Sequence, residues 1–509
     1  MRFWHLVIVV IAIVIGSTFR KNQKQEMSRK VVVIGGGLAG LCAALEARAA
    51  GAAVTIIEKE AKLGGNSAKA SSGMNGALTA PQSALHIEDS VDLFMKDTLA
   101  SGGGLCDENL VQTLVQESND SIYWIEQQGV PLRSISQCGG HSKPRTHRIA
   151  QDSNGRTTPV GWGIMRTLQK KVQDDNITLM LSSSVAKLIT HQDKVTGVLL
   201  QDNQLVEADS VILTSGGFAG KPKDKENTVL KEFAPEVTHL ATTNGPWATG
   251  DGIKLGQDVG AAVKDMDKVQ VHPTGFVDPN DPGADTKFLA PEALRAAGGI
   301  LMNANGLRFT NELGRRDVVS NDIFQHCASA NDASLAIAYL IMSEEAVNKY
   351  DRSSISFYEH KGLFHQLAGI EELAKYMALE PSILSKQFEL YDQEAKTGGD
   401  QFGKSVFPST LNNSMAYWVA KVTPSCHYTM GGLMIDDGAR VLKEANMNQY
   451  TPISGLVLTT QTNTKYTGFF AAGEVTGGVH GRNRLAGNSL LECVVFGRIA
   501  GKNAAGRSH

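Results

Sequence analysis

The sequence predicts an α/β fold: a Rossmann-like nucleotide-binding domain made from both ends of the chain, with an α+β capping domain inserted between them. Three observations carry this. A β-branched run at 31–34 leads straight into clustered glycines, an Ala- and Leu-rich stretch and a second short strand. Further glycine clusters lie at 64–75, at 248–252 and near the C-terminus, so both ends of the chain offer loops where backbone can approach a ligand. Between them, 266–427 has another texture, with helical patterns at 370–378 and 382–395 and the loop Asp278-Pro279-Asn280-Asp281-Pro282. The expected layout is 28–265 plus 428–509 for the nucleotide domain and 266–427 for the cap, with 1–27 outside the fold. A chain of 509 residues suits at least two domains at ~100–200 residues each.

The first unit reads as strand 30–35, helix 38–50 and strand 54–58, with Gly35-x-Gly37-x-x-Gly40 at the first turn and Glu58 closing the second strand. The glycine spacing alone is weak evidence. Flanked by strand and helix, with an acid ~20 residues on, it is a dinucleotide fingerprint. Gly35 permits the tight turn, Gly37 admits a pyrophosphate against the backbone, and Gly40 lets helix and strand pack closely. The helix N-terminus offers N–H donors to the phosphates. Glu58 is expected to accept from the adenosine ribose and to repel a 2′-phosphate, which disfavours NADP.

A second glycine loop, Gly64-Gly65-Asn66-Ser67 continuing to Ser71-Ser72-Gly73-Met74-Asn75, follows too soon for an NAD enzyme. A flavin needs it, because its middle and ring must be walled by small residues. Ala248-Thr249-Gly250-Asp251-Gly252 gives a third signal. In the fourth, an apolar strand at 468–470 enters the turn Ala471-Ala472-Gly473-Glu474, where Glu474 is placed to hold ribityl hydroxyls.

Composition narrows the chemistry. A net charge of -3 gives no basic footprint for nucleic acid. None of the 6 cysteines has C-x-x-C spacing, which argues against zinc, an iron–sulfur cluster, a dithiol or covalent haem; each reads as a small buried hydrophobe. No metal site is expected. Residues 3–15 are almost wholly apolar, with Arg2 before them and Arg20, Lys21 and Lys24 after. The run is shorter than the ~20 residues of a comfortable span. It fits a signal peptide or short anchor, tethering through 3–19 and directing the chain to endoplasmic reticulum or mitochondrion rather than cytoplasm.

Five segments concentrate polar groups that strands and helices do not need: 270–274, with His272-Pro273-Thr274; 292–295, with Glu292 and Arg295; 310–317, with Arg316; 427–432, with His427; and 477–485, with Arg484. With Gly139-Gly140-His141-Ser142, Pro144-Arg145-Thr146-His147-Arg148 and 489–498, they resemble the fumarate reductase/succinate dehydrogenase flavoprotein family, and within it the soluble single-chain fumarate reductases of yeast. The likeness runs from Lys30 to Arg498.

That resemblance implies roles position by position. His272 and His427 would contact substrate carboxylates, Arg484 would clamp one with its planar fork, and Gly487 would face the substrate. Arg316 would be the proton donor, with Glu292 and Arg295 as its relay. An arginine acid requires a strongly basic carbanion and rapid reprotonation. FAD contacts would extend to Leu38, Ala39, Lys59, Asn66, Ser67, Ser71, Ser72, Gly73, Asn75, Val185, Asp251, Tyr428, Ser489 and Leu490. Asn66 stands where membrane-complex members carry the flavin-linking histidine, so FAD should be non-covalent. Leu485-Ala486-Gly487 replaces a frequent Leu-Gly-Gly, and Pro291 a frequent Thr or Ala. The stretch 144–148 fits a flavin-side wall or a salt-bridged loop equally well.

The expectation is a monomeric reductase of fumarate to succinate, taking electrons from a soluble donor, reduced flavin, since no second dinucleotide site is visible. Alternatives are a urocanate-type reductase or amino-acid oxidase, a flavoprotein subunit of a membrane electron-transfer complex, or a degenerate flavin binder. The double cation clamp favours a dicarboxylate, Asn66 and the N-terminal segment oppose the complex subunit, and the complete polar set opposes degeneracy.

Overall fold

Val31, Val32, Val33 and Ile34 are buried because the strand Lys30–Ile34 lies inside a parallel sheet, covered on both faces. It pairs with Ala53–Ile57 on one side and Ser210–Leu213 on the other. Thr178–Met180 extends the sheet beyond Ala53–Ile57, and Lys465–Ala471 extends it beyond Ser210–Leu213. The two ends of the chain thus share one sheet, with Val33 opposite Ile212 and Ile212 opposite Phe470. An antiparallel extension, Val185–His191, Lys194–Leu200 and Leu205–Glu207, and Arg440–Leu442, antiparallel to Lys465–Ala471, complete nine strands. This computed structural model describes residues 28–153, 156–223, 226–328, 336–412, 414–444 and 464–506. The expected signal or anchor segment at 1–27 lies outside them. Among the described residues no helix is long and apolar enough to cross a membrane.

The helix Leu38–Ala49 follows the first glycine turn, as the sequence predicts, and packs beside the C-terminal helix Asn488–Ala504. Gly40 makes the turn possible: a Cβ there would sit 2.0 Å from the Gly35 carbonyl oxygen and 2.7 Å from Thr214 Oγ1. One apolar core joins residues 31–266 to 433–504.

A second sheet is antiparallel. The 14-residue strand Ala416–Thr429 pairs with Val269–Phe276, Ala338–Ser343 and His365–Ala368, and Ile300–Met302 adds to Ala338–Ser343. Separate cores back it, one of them under the helices Gly369–Met377 and Pro381–Thr397, close to the expected helical patterns. Pairing in Val269–Phe276 shifts register between His272 and Gly275, where Pro273 cannot donate to the ladder. The far end of Ala416–Thr429 stays paired with Val269–Phe276 through Thr429 and carries His427 and Tyr428 to the wall of a cavity.

Candidate active site

A cavity of about 1560 Å³ runs along the C-terminal ends of the parallel strands and under the second sheet. It exceeds the ~300–1,000 Å³ of an ordinary small-molecule site and leaves room for a dinucleotide with a small substrate beside it. Its wall includes Gly35, Gly37, Leu38, Ala39, Glu58, Lys59, Asn66, Ser67, Ser71, Ser72, Gly73, Val185, Asp251, Tyr428, Glu474, Ser489 and Leu490, all expected at the cofactor. Gly40 and Asn75 do not line it. Gly40 serves the helix–turn contact. Asn75 is buried, donating to the Ala486 carbonyl at 2.7 Å and to Asn488 Oδ1 at 2.7 Å while accepting from Thr146 Oγ1 at 2.8 Å.

The wall offers donors to a ligand. The helix at Leu38 has no side-chain cap at Gly37 and no acid in its first turn, and its Leu38 N–H donates to Ser67 Oγ at 3.2 Å. Ser215 Oγ and Trp247 Nε1 are buried on the wall without a hydrogen-bond partner. Glu58 braces the loop, accepting from the Gly36 N–H at 2.7 Å and the Glu60 N–H at 2.9 Å. Lys59 bonds Thr249 Oγ1 at 2.8 Å and pairs with Asp251 at 2.5 Å. Burial pushes the Glu474 carboxyl up to about 7, against the hydrogen bond it accepts from the Thr429 N–H. Phosphate and hydroxyl groups suit this set, so the residues fit FAD.

At the other end of the cavity the six polar residues singled out for chemistry converge. Glu292 opens the short helix Glu292–Ala296, with Arg295 one turn on, and Arg316 opens the helix Arg316–His326. Arg316 donates from Nε to Glu292 Oε2 at 2.9 Å and from Nη1 to Gln270 Oε1 at 2.7 Å. Glu292 Oε1 accepts from the Gly139 N–H at 2.8 Å. Arg295 Nη2 stands 3.9 Å from Glu292 Oε2, and its Nη1 donates to the Glu312 carbonyl. The His272 and His427 rings meet edge to face with centroids 5.0 Å apart. His427 Nδ1 faces Thr243 Oγ1 at 2.7 Å, and His272 Nδ1 accepts from the Thr274 N–H at 3.2 Å. The Arg484 guanidinium lies 4.5 Å above the Tyr428 ring centre. Arg316, His427, Arg484 and Gly487 line the cavity, while His272, Glu292 and Arg295 stand behind that wall.

Charge is out of balance here. Arg295, Arg316 and Arg484 are all at most 4% exposed, and Glu292 is the carboxylate that meets the first two. Burial, then the charge of Arg316, pushes Arg484 down to about 10, and its buried Nε has no partner. Burial and the same cations hold both histidines well below the ordinary imidazole value, so they act as neutral hydrogen-bonding groups. Burial favours the neutral Glu292 acid, but Arg316 and Arg295 outweigh it and keep the carboxylate charged. Arg484 has no ion-pair partner of its own here, with Glu474 and Glu492 acting on it from a distance, so the pocket suits a small anion.

Four further groups belong to the site. Gln270 joins Arg316 to the clamp loop, donating to the Arg484 carbonyl at 3.1 Å and to Asn483 Oδ1 at 3.0 Å. Thr243 and Asn244 hold the His427 side chain and carbonyl, and Lys69 donates to the Thr243 carbonyl at 2.7 Å. Gln270 and Lys69 fall inside segments the sequence flags, but neither residue type announces its partner. In the 144–148 stretch both readings have a share: Arg145 pairs with Asp89 and Asp97, while Arg148 reaches the cavity wall with its guanidinium 5.3 Å over the Tyr350 ring.

A family model described as FAD binding domain matches residues 30–490. Fumarate reductase of Schizosaccharomyces pombe is 37% identical over 96% of this chain and 92% of its own length. Fumarate reductase 1 of Saccharomyces cerevisiae is 40% identical over 93% of this chain and 98% of its own. Among solved structures, the open conformation of a flavocytochrome c3 fumarate reductase is similar with a TM-score of 0.71 and 32% identity, over 97% of this chain and 81% of that one.

Removing a buried cation that faces a bound anion leaves that anion desolvated without its partner, a loss of roughly 2–5 kcal/mol for a buried charge pair. Arg484→Met is expected to weaken malonate binding, read from the flavin absorbance, by a factor of thirty or more (about 2 kcal/mol). Unchanged malonate affinity contradicts the assignment.

Proposed function

Since the chain belongs to the FAD binding domain family, and within it to the fumarate reductase flavoproteins, we propose that it is an FAD-dependent fumarate reductase giving succinate. The observation that carries this reading is the buried cationic pocket, open to the flavin cavity, with neutral histidines beside it. FAD is held by the glycine loops, Glu58 and the helix N-terminus at Leu38. When bound and reduced, it supplies hydride.

This chain's residues do the rest. Arg484 and His427, backed by the His272 ring packed against His427, bind the carboxylates and draw electron density from the alkene, so that negative charge developing at the far carbon is stabilised before it forms. Arg316 delivers a proton to that carbon. Glu292, hydrogen-bonded to Arg316 Nε, returns the proton, and Arg295 completes the relay. The second sheet and its helices cover the pocket, keeping water from the carbanion.

Attachment of FAD is non-covalent in this reading. Asn66 uses its carboxamide for Asn244 and the Gly245 N–H and offers no nucleophile to the ring. Reduced flavin is the proposed electron donor, supported by the single dinucleotide fingerprint. The apolar run at 3–15 with its basic flanks supports an N-terminal signal or anchor, with delivery to endoplasmic reticulum or mitochondrion.

Acid precipitation is expected to release all the yellow colour into the supernatant; colour kept on the polypeptide contradicts non-covalent binding. With reduced viologen under anaerobic conditions, the wild type is expected to oxidise the dye only with fumarate. Arg316→Lys keeps charge but loses the fork, and its rate is expected to fall at least ~100-fold with FAD retained. Near-normal turnover in that variant removes Arg316 as the acid.

A further inference from the structure

Residues 139–146 are a motif that the reaction just described leaves without a role, yet they touch both halves of it. At one end, the Gly139 N–H holds Glu292 Oε1 at 2.8 Å. Two residues on, His141 is 7% exposed, and its Nε2 lies 2.9 Å from the Ala486 carbonyl oxygen. Ala486 sits between the clamp Arg484 and Gly487, in the loop that faces substrate.

The ring's tautomer follows from its other neighbour. His141 Nδ1 lies 3.4 Å from Arg145 Nη1, which can only donate. Nδ1 therefore accepts, and Nε2 carries the hydrogen that Ala486 receives. Arg145 is itself fixed: it is fully buried, bonds both oxygens of Asp89 at 2.7 and 2.9 Å, bonds Asp97 at 2.5 Å, and stacks over the Phe94 ring at 4.9 Å. Burial, with Arg145 adding to it, pushes the imidazole down to about 4, so the neutral donor persists at ordinary pH.

The loop it holds needs holding. Gly487 has φ +84, a left-handed conformation, and a Cβ there would meet Asn75 Oδ1 at 2.2 Å. Asn75 donates to the same Ala486 carbonyl at 2.7 Å, and its own N–H donates to the Gly487 carbonyl at 3.2 Å. Two side-chain donors, His141 and Asn75, thus converge on one backbone oxygen two residues after the clamp. The buried Arg484 makes one hydrogen bond of its own among the described residues, a 3.3 Å contact with the Leu485 carbonyl, so its aim depends on the path of this loop.

We propose that His141 is a positioning residue for the substrate clamp, holding the Ala486 carbonyl so that Arg484 and Gly487 are presented to the dicarboxylate. The inference rests on the assignment of Arg484 as the clamp. A glutamine side chain carries an N–H donor at nearly the position of a histidine Nε2, whereas alanine and leucine carry none.

The test compares the wild type, His141→Ala and His141→Gln, each purified with FAD, for fumarate turnover and for malonate binding read from the flavin spectrum. His141→Ala is expected to raise the fumarate KM and the malonate Kd about tenfold, to change kcat less than threefold, and to keep its flavin. His141→Gln is expected to bring both constants back to within about twofold of wild type. If His141→Ala loses its flavin, His141→Leu, which fills the same space without the donor, takes its place in the comparison. Unchanged KM and Kd in the donor-less variant overturn the proposal, as does a His141→Gln as impaired as that variant. A wild type that binds malonate but turns over no fumarate overturns the reaction assignment instead, and malonate affinity still decides the role of His141.

Discussion

Three buried guanidinium groups, only two of them ion-paired with Glu292, set the terms for this protein. A buried ion costs several kcal/mol unless it is paired, and Glu292 can serve Arg316 and Arg295 but not Arg484. The surplus has consequences at each neighbour. Together with burial, the larger cause, it keeps His272 and His427 neutral; it also keeps Glu292 ionised despite full burial and makes the pocket an acceptor of anions. A substrate with two carboxylates supplies the missing charge, and the same cations then stabilise the charge that develops as its double bond is reduced.

Holding such a cluster together is the work of the fold. Each cation comes from a different element: Arg295 from a five-residue helix, Arg316 from the first turn of another, and Arg484 from the loop ahead of the C-terminal helix. The pairing of Val269–Phe276 with Ala416–Thr429 delivers Gln270, His272 and His427, and one parallel sheet built from both chain ends delivers the flavin cavity beside them. A second buried ionic group, Arg308 and Lys404 with Glu312 and Asp400, is internally paired and fixes the segment whose Glu312 carbonyl receives Arg295. The contrast is informative: where charges only support the structure they are matched, and where substrate binds they are not.

Much of this was legible in the sequence where a function is written in contiguous residues. The glycine turn at 35–40, its strands and helix, and the cavity-facing residues of the second loop follow from local spacing, because backbone conformation and close approach are local demands. Arg316, Glu292, His272, His427 and Arg484 stand in short polar segments that the sequence sets apart, while the roles given to them come from the family resemblance. Asn75 could not. It sits in a glycine loop whose neighbours face the cavity, yet its partners are Thr146 and the 486–488 turn, 411 residues away at Ala486. His141 meets that carbonyl across 345 residues, and Arg145 pairs with acids on another helix and its lead-in. Nothing in the spacing of 139–148 encodes those meetings, which is why that stretch could be read in two ways and why Arg145 and Arg148 divide between them.

The central claim is that the pocket selects for two carboxylates across a reducible double bond. It is tested most directly by kcat/KM for fumarate, crotonate and urocanate on one flavin-loaded preparation with the same reduced dye. The unpaired polar groups left by a substrate that fills one half of the site should cost crotonate a factor of ~10⁴ or more, and urocanate should fare no better. A value for either rival that matches fumarate contradicts the account, even with the flavin fold intact.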